Sequence, residues 1–404
     1  MGIRPILSAL LRNRAGAILV ALQIAITLAI IVNAVYLTQQ RVSKIGRPTG
    51  IDDQNIFAFW VNTYQKDYDF LGMVREDLLL LRQMPDIIDA TPMQQVPLSG
   101  SGNSSGFYSL PDKKGENSPA NTYSTDEHGT KTLGVTLAAG REFDANDVEY
   151  KKEDQKQPGY PPTAIISQGF ATALFKDQPA IGKNFYDDQS RPIRIVGVIS
   201  HMHGSWVGWD KVDRTMLYPQ VGPYASTQYV IRTRPGSIDR VMSAVEVALR
   251  KRDPNRVVAT PMTKMSDMKR RSYAGDSLMA VTLSTVTGLV LVFSSLGIFG
   301  LATFNVNSRT RQIGTRRAVG ARRIDIVKYF LAENWIVTSA GVVVGCGLAL
   351  AAGYWLSTQY KLPRLDLYYL VGGVLGLWVL GQLAAWQPSL RAAKVSPAMA
   401  TRSI

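Results

Sequence analysis

Four long stretches of this sequence contain no charged side chain. They cover residues 15–40, 277–308, 334–360 and 367–390. A helix needs about 20 apolar residues to cross the hydrocarbon core of a bilayer, and each stretch is longer than that. Because a helix in a soluble protein is rarely apolar on every face for this length, the sequence predicts four transmembrane helices. We place them at 15–37, 278–306, 334–357 and 367–387.

The first apolar stretch is also compatible with a signal peptide, since Arg4, Arg12 and Arg14 precede it. Its apolar core is much longer than that of a signal peptide, and no small-x-small cleavage site follows it. We therefore favour a membrane anchor over a cleaved leader.

The net charge of +14 is concentrated beside the predicted helices. Residues 38–277 carry 30 Lys and Arg against 28 Asp and Glu, so this large segment contributes only +2. Most of the rest lies in an amphipathic N-terminus (1–14), a loop (307–333) and a tail (388–404). Short basic segments stay on the cytosolic side of a membrane, and with four spans these three fall on the same side. We therefore expect residues 38–277 to be exported.

The exported segment contains an internal repeat. The strings MPDIIDATPM (84–93) and DPNRVVATPM (253–262) are similar, and each follows an amphipathic helical pattern that is itself preceded by a strand-like run. Two strand–helix–strand halves, at about 50–96 and 215–265, predict a single sheet with its helices on one face. This is an α+β arrangement.

An inserted subdomain is expected between the two halves, at about 130–205. The stretch 97–129 before it is rich in Gly, Ser, Asn and Pro, which indicates loose structure. The only cysteine, Cys346, falls in the third predicted span, so the exported segment depends on a hydrophobic core and not on disulfides.

No residue set in the sequence predicts catalysis. The three histidines, His128, His201 and His203, have no cysteine near them in sequence, so we predict no metal site. The string AIGKNF (180–185) lacks the first glycine and the hydroxyl residue of a phosphate loop. The spans also lack the charged residues of an ion-coupled carrier. We expect a chain that is not an enzyme and that holds no cofactor itself.

The connection between the second and third spans is densely basic. Residues 307–330 hold seven Lys or Arg and one acid, Asp325. Topology and contact with membrane lipid account for the charge, and we expect no nucleic acid on a membrane-tethered segment with so few aromatic residues. Topology and lipid contact do not account for the order of the residues in this segment. A short helix, a break at Gly320 and a second amphipathic helix indicate a shaped surface that binds a protein.

Small residues four positions apart occur in three of the spans. Such pairs let two helix backbones approach closely, and Ser284 pairs in this way with Gly288. The residues predicted to mediate helix packing are Gly288, Gly341, Gly345, Gly372 and Gly376.

The string SRTRQIGTRRAVGARRIDIVKYFLAEN resembles the cytoplasmic loop of MacB/FtsX-type ABC transporter permeases, whose pattern is close to R-x-R-E-I-G-x-x-R-A-[LV]-G-A. The tail PSLRAAKVSPAMATR resembles the ending of that family, and the stretch 162–199 resembles its periplasmic core. Gln312 stands where the family has Glu, so an ion pair made by that carboxylate is lost. Thr401 departs from the pattern of the tail.

The resemblance implies a fold and a mechanism. Such permeases have four transmembrane helices with a large extracytoplasmic domain between the first two, and they couple ATP hydrolysis to movement of that domain, which is called mechanotransmission. The basic loop would be the coupling helix that contacts the ATPase. Its contact residues would be Arg309, Arg311, Gln312, Ile313, Gly314, Arg316, Arg317, Ala318, Val319 and Gly320.

The resemblance also implies partners. They are a cytosolic ABC ATPase on a separate chain, which would hold ATP and Mg, and a second permease copy or paralogue in the bacterial inner membrane. In the MacB branch the exported domain also meets a periplasmic adaptor protein that leads to an outer-membrane channel, and the system exports substrates. Two alternatives stay open. One is lipoprotein release or FtsX-like control of cell-wall hydrolases, and the other is a membrane sensor with an exported ligand domain.

Overall fold

The structure is a computed structural model that describes residues 14–65, 68–151, 159–360 and 364–396. The predicted N-terminus before Arg14 and the end of the tail, with Thr401, lie outside these residues. The chain divides into two compact units. One, which we call the bundle unit, comprises Met1–Gly46 and Gly275–Ile404. The other, which we call the exported unit after its expected location, comprises Arg47–Ala274.

The described residues form one long apolar helix, then a series of strands and shorter helices, and then three more long apolar helices, the first two of which are joined by a short one. The helices are α1 (Arg14–Ile45), α2 (Phe70–Gln83), α3 (Gly129–Leu133), α4 (Gln168–Phe175), α5 (Ile238–Arg252), α6 (Met265–Ser272), α7 (Ala274–Ser308), α8 (Thr310–Ala318), α9 (Arg323–Tyr360) and α10 (Leu367–Ala393). The strands are β1 (Ile56–Thr63), β2 (Ile87–Pro92), β3 (Asn103–Leu110), β4 (Lys114–Thr125), β5 (Leu137–Gly140), β6 (Glu149–Tyr150), β7 (Thr163–Ser167), β8 (Asn184–Tyr186), β9 (Pro192–Ile199), β10 (Thr215–Val221), β11 (Ser226–Thr233), β12 (Arg256–Val258) and β13 (Thr263–Lys264).

Four of these helices, α1, α7, α9 and α10, are long and apolar enough to cross a membrane. They contain 32, 35, 38 and 27 residues. Each of these helices continues past at least one boundary of its predicted span, into the polar segment that flanks it. The first apolar stretch is therefore part of a helix bundle in this structure.

The interior of the bundle is built around α1. Its residues Ile24 and Leu28 are almost fully buried against residues of α9 and α10, including Val342 and Leu377. The contact of α1 with α7 is partly polar. The Thr27 and Ser294 hydroxyls lie 2.6 Å apart in a buried hydrogen bond. At the end of α1, Arg41 and Lys44 form ion pairs of 2.8 and 2.9 Å with Asp276, in the first turn of α7.

The exported unit contains a sheet with strand order β12–β1–β11–β2, in which neighbouring strands are antiparallel. Helices α2 and α5 pack on one face of this sheet. Leu81 of α2 and Leu249 of α5 share a core with Phe57, Phe59 and Ile231. Each helix connects two parallel strands that are separated by a third, which is the split βαβ arrangement. This part of the structure has the α+β architecture expected from the internal repeat.

The second sheet of the exported unit has the order β4–β3–β8–β9–β7–β10–β6, with β5 added on β9. It corrects two sequence-based boundaries. The stretch 97–129, expected to be loose, contains the β3–β4 pair, so this subdomain starts near 103 and not near 130. Strand β10, which falls within the predicted half 215–265, also belongs to this sheet. Small polar residues are tolerated in this sheet because nearby segments of the chain provide hydrogen-bond partners for them. For example, Ser205 donates its backbone N–H to the Asn121 Oδ1 atom.

Candidate functional site

The basic loop forms an elbow between two membrane helices. Helix α7 ends at Ser308, the short helix α8 follows, and a turn at Val319 and Gly320 leads into α9. Gly320 has φ +103°, a conformation that L side chains rarely adopt, although the space around its Cα is open. The turn thus requires glycine for its backbone and not for lack of room.

The start of α9 is fixed by a local hydrogen bond. Arg322 donates its backbone N–H to the Asp325 Oδ2 atom at 3.1 Å, and Ile326 donates its own N–H to the Arg322 carbonyl. A carboxylate three residues into a helix that accepts from the preceding backbone is half of a capping box. Asp325, the one acid of residues 307–330, thus fixes the residue at which the second helix begins.

One face of α8 is buried within the bundle unit. Ile313 is 4% exposed and packs with Val306, Tyr329, Phe330 and Ala392, and Gly314 beside it is also buried. Both residues were expected to contact a partner. In this structure Ile313 contacts α9 and α10 and helps to hold α8 in place. Contact of Ile313 and Gly314 with a partner stays a prediction.

Two arginines of α8 also make contacts within the chain. Arg317 donates a hydrogen bond from Nη1 to the carbonyl of Ala393, at the C-terminal end of α10. The Arg316 guanidinium lies 4.6 Å from the centre of the Tyr329 ring, which is a cation–π distance. Helix ends favour a cation at exposed carbonyl groups, so Arg317 fastens α8 to α10.

Arg309, at the junction of α7 and α8, pairs with a residue that the sequence analysis did not single out. Its Nη1 atom lies 3.0 Å from Oε1 and 2.9 Å from Oε2 of Glu333 in α9. A lone carboxylate directly before a charge-free apolar run was the available signal.

The opposite face of α8 is exposed, although Arg316 on this face makes the cation–π contact with Tyr329. Arg311, Gln312, Thr315 and Arg316 have exposed side chains, and Val319 at the end of the helix is 84% exposed. Within the described residues Arg311 has no ion pair. An exposed apolar side chain among cations on a fixed helix fits a partner surface that is apolar and acidic. We call these five residues the docking face.

The predicted helix-packing glycines divide into two groups. A Cβ atom added at Gly341 would lie 2.6 Å from the Ala21 carbonyl oxygen, and one at Gly345 would lie 3.0 Å from the Ala25 Cα atom, so both are packed against α1. A Cβ at Gly288, Gly372 or Gly376 would meet no described atom within 4 Å.

Gly288, Gly372 and Gly376 therefore have no close neighbour among the described residues, and their role in helix packing stays a prediction. Gly373 has that role in α10, because a Cβ added there would lie 2.5 Å from the Val32 Cγ2 atom. The GxxxG spacing shows which residues share a helix face but not whether that face points inward.

The exported unit shows no group of three or more metal-ligating side chains among the residues that are described. The His201 Nε2 atom lies 2.9 Å from the Pro48 carbonyl oxygen, and His203 is buried. Burial, with the positive charges nearby, lowers the pKa of His203 to about 4. His203 is thus neutral near pH 7 and packs as part of the core.

Four membrane-type helices, an α+β domain between the first two and a structured basic elbow define a multi-pass membrane protein of the permease type. Two family models match the chain, the MacB-like periplasmic core domain over residues 17–265 and the FtsX-like permease C-terminal domain over residues 284–397. The chain belongs to the MacB/FtsX-like family of ABC transporter permeases.

Relatives with curated names are similar over most of this chain. The macrolide export ATP-binding/permease protein MacB of Neisseria gonorrhoeae is 22% identical over 401 residues, which cover 96% of this chain and 58% of that protein. The uncharacterized ABC transporter permease YknZ of Bacillus subtilis is 25% identical over 243 residues, or 59% of this chain and 61% of that protein. This chain therefore spans about three fifths of the length of these relatives.

A solved structure, the periplasmic region of MacB from Actinobacillus actinomycetemcomitans, is 15% identical and aligns with a TM-score of 0.33. The alignment covers 57% of this chain and 97% of that one.

Proposed function

We propose that this chain is the membrane subunit of an ATP-driven transporter, and that a cytosolic ABC ATPase binds to the docking face. The observation that carries the proposal is Val319, an apolar side chain left 84% exposed among arginines on a helix that is held in place. The partner ATPase would hold ATP and Mg, and this chain would hold neither.

The way α8 is attached supports a mechanical role. Ile313 packs into the cluster formed with α9 and α10, and Arg317 binds the end of α10. Helix α8 also follows α7 directly. A partner that moves the docking face would therefore displace three membrane helices together, because the packed contacts transmit force without deforming. This is how ATP hydrolysis in the cytosol would reach the exported domain.

The proposal extends to efflux from the periplasm. Relatives named as macrolide exporters align over 96% of this chain, so we propose a related task, in the inner membrane, with a second permease copy or paralogue. A periplasmic adaptor and an outer-membrane channel would complete the path. Lipoprotein release and control of cell-wall hydrolases are the alternative tasks for the same coupling, and the identity of the co-purifying periplasmic proteins distinguishes them.

The docking face can be tested by photo-crosslinking. The chain would carry a photoreactive residue at position 315, in place of Thr315, and would be purified in mild detergent. It should crosslink to a protein that hydrolyses ATP. Val319→Asp should reduce recovery of that ATPase by about tenfold. Val247→Asp is the matched control, because Val247 is a similarly exposed valine, 67% accessible, on α5 of the exported unit. Full ATPase recovery with Val319→Asp would refute the proposed docking face.

A further inference from the structure

Among the residues of the bundle unit that the structure describes, Arg309 and Glu333 form the most buried ion pair. The side chains are 14% and 7% exposed, and one guanidinium nitrogen contacts both carboxylate oxygens. The remaining described ion pairs of this unit involve Asp276 and have more exposed cations. A buried pair of this kind adds little net stability, because removing two charges from water offsets their attraction. Stability alone is therefore a weak reason for its presence.

The position of the pair is more informative than its energy. Arg309 is the residue between the last residue of α7 and the first residue of α8. Glu333 lies in α9, past the turn that follows α8. The chain bends at Arg309. The pair thus connects this bend to α9, the helix on the other side of the elbow. Arg317 fastens the opposite end of α8, to α10.

A cavity of about 40 Å³ lies beside the pair. Both Arg309 and Glu333 line it, and all four membrane helices contribute to its wall, including Ala17 of α1 and Ser389 of α10. A water molecule needs roughly 10–15 Å³ of such volume together with polar partners. The site therefore has room to hydrate the two charged groups when they separate, which lowers the energy of the separated arrangement.

We infer that Arg309 and Glu333 form a latch, a positioning pair that holds α7 against α9 and that opens when the ATPase displaces α8. This inference rests on the proposed function and assigns Arg309 a different role from Arg311. Arg311 would bind the partner, whereas Arg309 would determine whether binding is converted into movement of the membrane helices.

The test removes both charges at once. Replacing one partner alone leaves a buried unpaired charge and destabilises the fold, whereas replacing both with apolar residues is tolerated. The variant Arg309→Met/Glu333→Leu should therefore fold and recover the ATPase as the wild type does. We expect stimulation of ATP hydrolysis by the chain to fall by about tenfold, within the usual range for coupling between two sites. Arg311→Met should instead reduce recovery of the ATPase.

A second measurement requires no partner. Nitroxide labels at Ser308 and Lys328, in a Cys346→Ala background, report the distance between the end of α7 and α9 in the full-length chain. The double variant should give a broader distance distribution than the wild type. An unchanged distribution would show that the pair does not hold α7 to α9, and full stimulation of hydrolysis would show that the pair takes no part in coupling. If the wild-type chain recovers no ATPase, the proposed function fails, and the label distances still decide whether the pair holds α7 to α9.

Discussion

The His128 Nδ1 atom lies 2.9 Å from the carboxylate of Asp89, and this contact joins the two sheets of the exported unit. Asp89 is in β2 of the first sheet, and His128 follows β4 of the second. Lys131 contacts Asp89 at 3.1 Å, and Arg82 pairs with the neighbouring Asp126. The boundary between the sheets is thus held by a charged cluster that includes His128.

This contact predicts a pH dependence of stability. The hydrogen bond to Asp89 raises the pKa of His128 above its usual value, although burial opposes the shift. The folded chain therefore favours the protonated imidazole. The stabilisation is fully present below about pH 6.5 and is lost as the pH rises through the raised pKa. Between pH 6 and pH 8 we expect thermal unfolding in detergent to shift down by about 1–3 °C from this source.

The variant His128→Gln should lack that component of the pH dependence, and His201→Gln should retain it, since His201 contacts Pro48 and not Asp89. Glu127 also faces the His128 ring, at 3.7 Å. Equal pH slopes for the wild type and His128→Gln would show that the Asp89 contact does not contribute.

Truncation of Ile313 should cost much more stability than truncation of Val319. Ile313 is 4% exposed and packed against α9 and α10, so Ile313→Ala should lower the free energy of unfolding by about 2–4 kcal/mol. Val319→Ala should change it by less than about 0.5 kcal/mol, because that side chain is exposed. Denaturant unfolding in detergent measures both. A large loss for Val319→Ala would mean that this residue is packed within the chain.

Gly320 should not tolerate alanine, whereas Gly288 should. A Cβ has open space at both positions, but only Gly320 has a positive φ. We expect Gly320→Ala to destabilise the elbow by about 1–2 kcal/mol and to increase proteolysis between α8 and α9. Gly288→Ala lies within α7 and should be neutral or slightly stabilising. Equal proteolysis of the two variants would argue against a conformational requirement at Gly320.

Gly341 and Gly372 provide a comparable test inside the bundle. Gly341→Val would place a side chain against the Ala21 carbonyl and should force α1 and α9 apart. Gly372→Val meets no described neighbour and should keep the wild-type unfolding temperature. Fluorescence-detected thermal unfolding in detergent compares them directly. A tolerated Gly341→Val would show that α1 and α9 are less closely packed than in this structure.

The membrane helices could be predicted from the sequence because absence of charge is a property of a local stretch of chain. The same is true of the elbow, where Gly320 and Asp325 mark the turn and the helix start. The pair β7 and α4 also follows from local signals, since Ser167 ends an apolar run and accepts a hydrogen bond from the Phe170 N–H as an N-cap.

Features that depend on distant contacts could not be predicted in this way. Strands β3 and β4 have the composition of a loop, and they form because they pair with each other and with β8 and β10. The partner of Arg309 and the inward direction of Ile313 depend on how α8 lies on α9 and α10. A single sequence gives the helical period, but it does not state which neighbour occupies each face.

The close approach of α1 and α9 at Gly341 and Gly345 has a consequence for how the bundle can move. Two helices in backbone contact cannot shift along each other without collision, so α1 and α9 form a rigid pair. The contacts described for α7 and for the residue that follows it include polar ones at three levels, through Asp276, Ser294 and Arg309. Hydrogen bonds and ion pairs can be exchanged one at a time, whereas interlocked backbones cannot. Shear between the membrane helices should therefore be largest along α7, the helix that leads directly from α6 of the exported unit to the elbow.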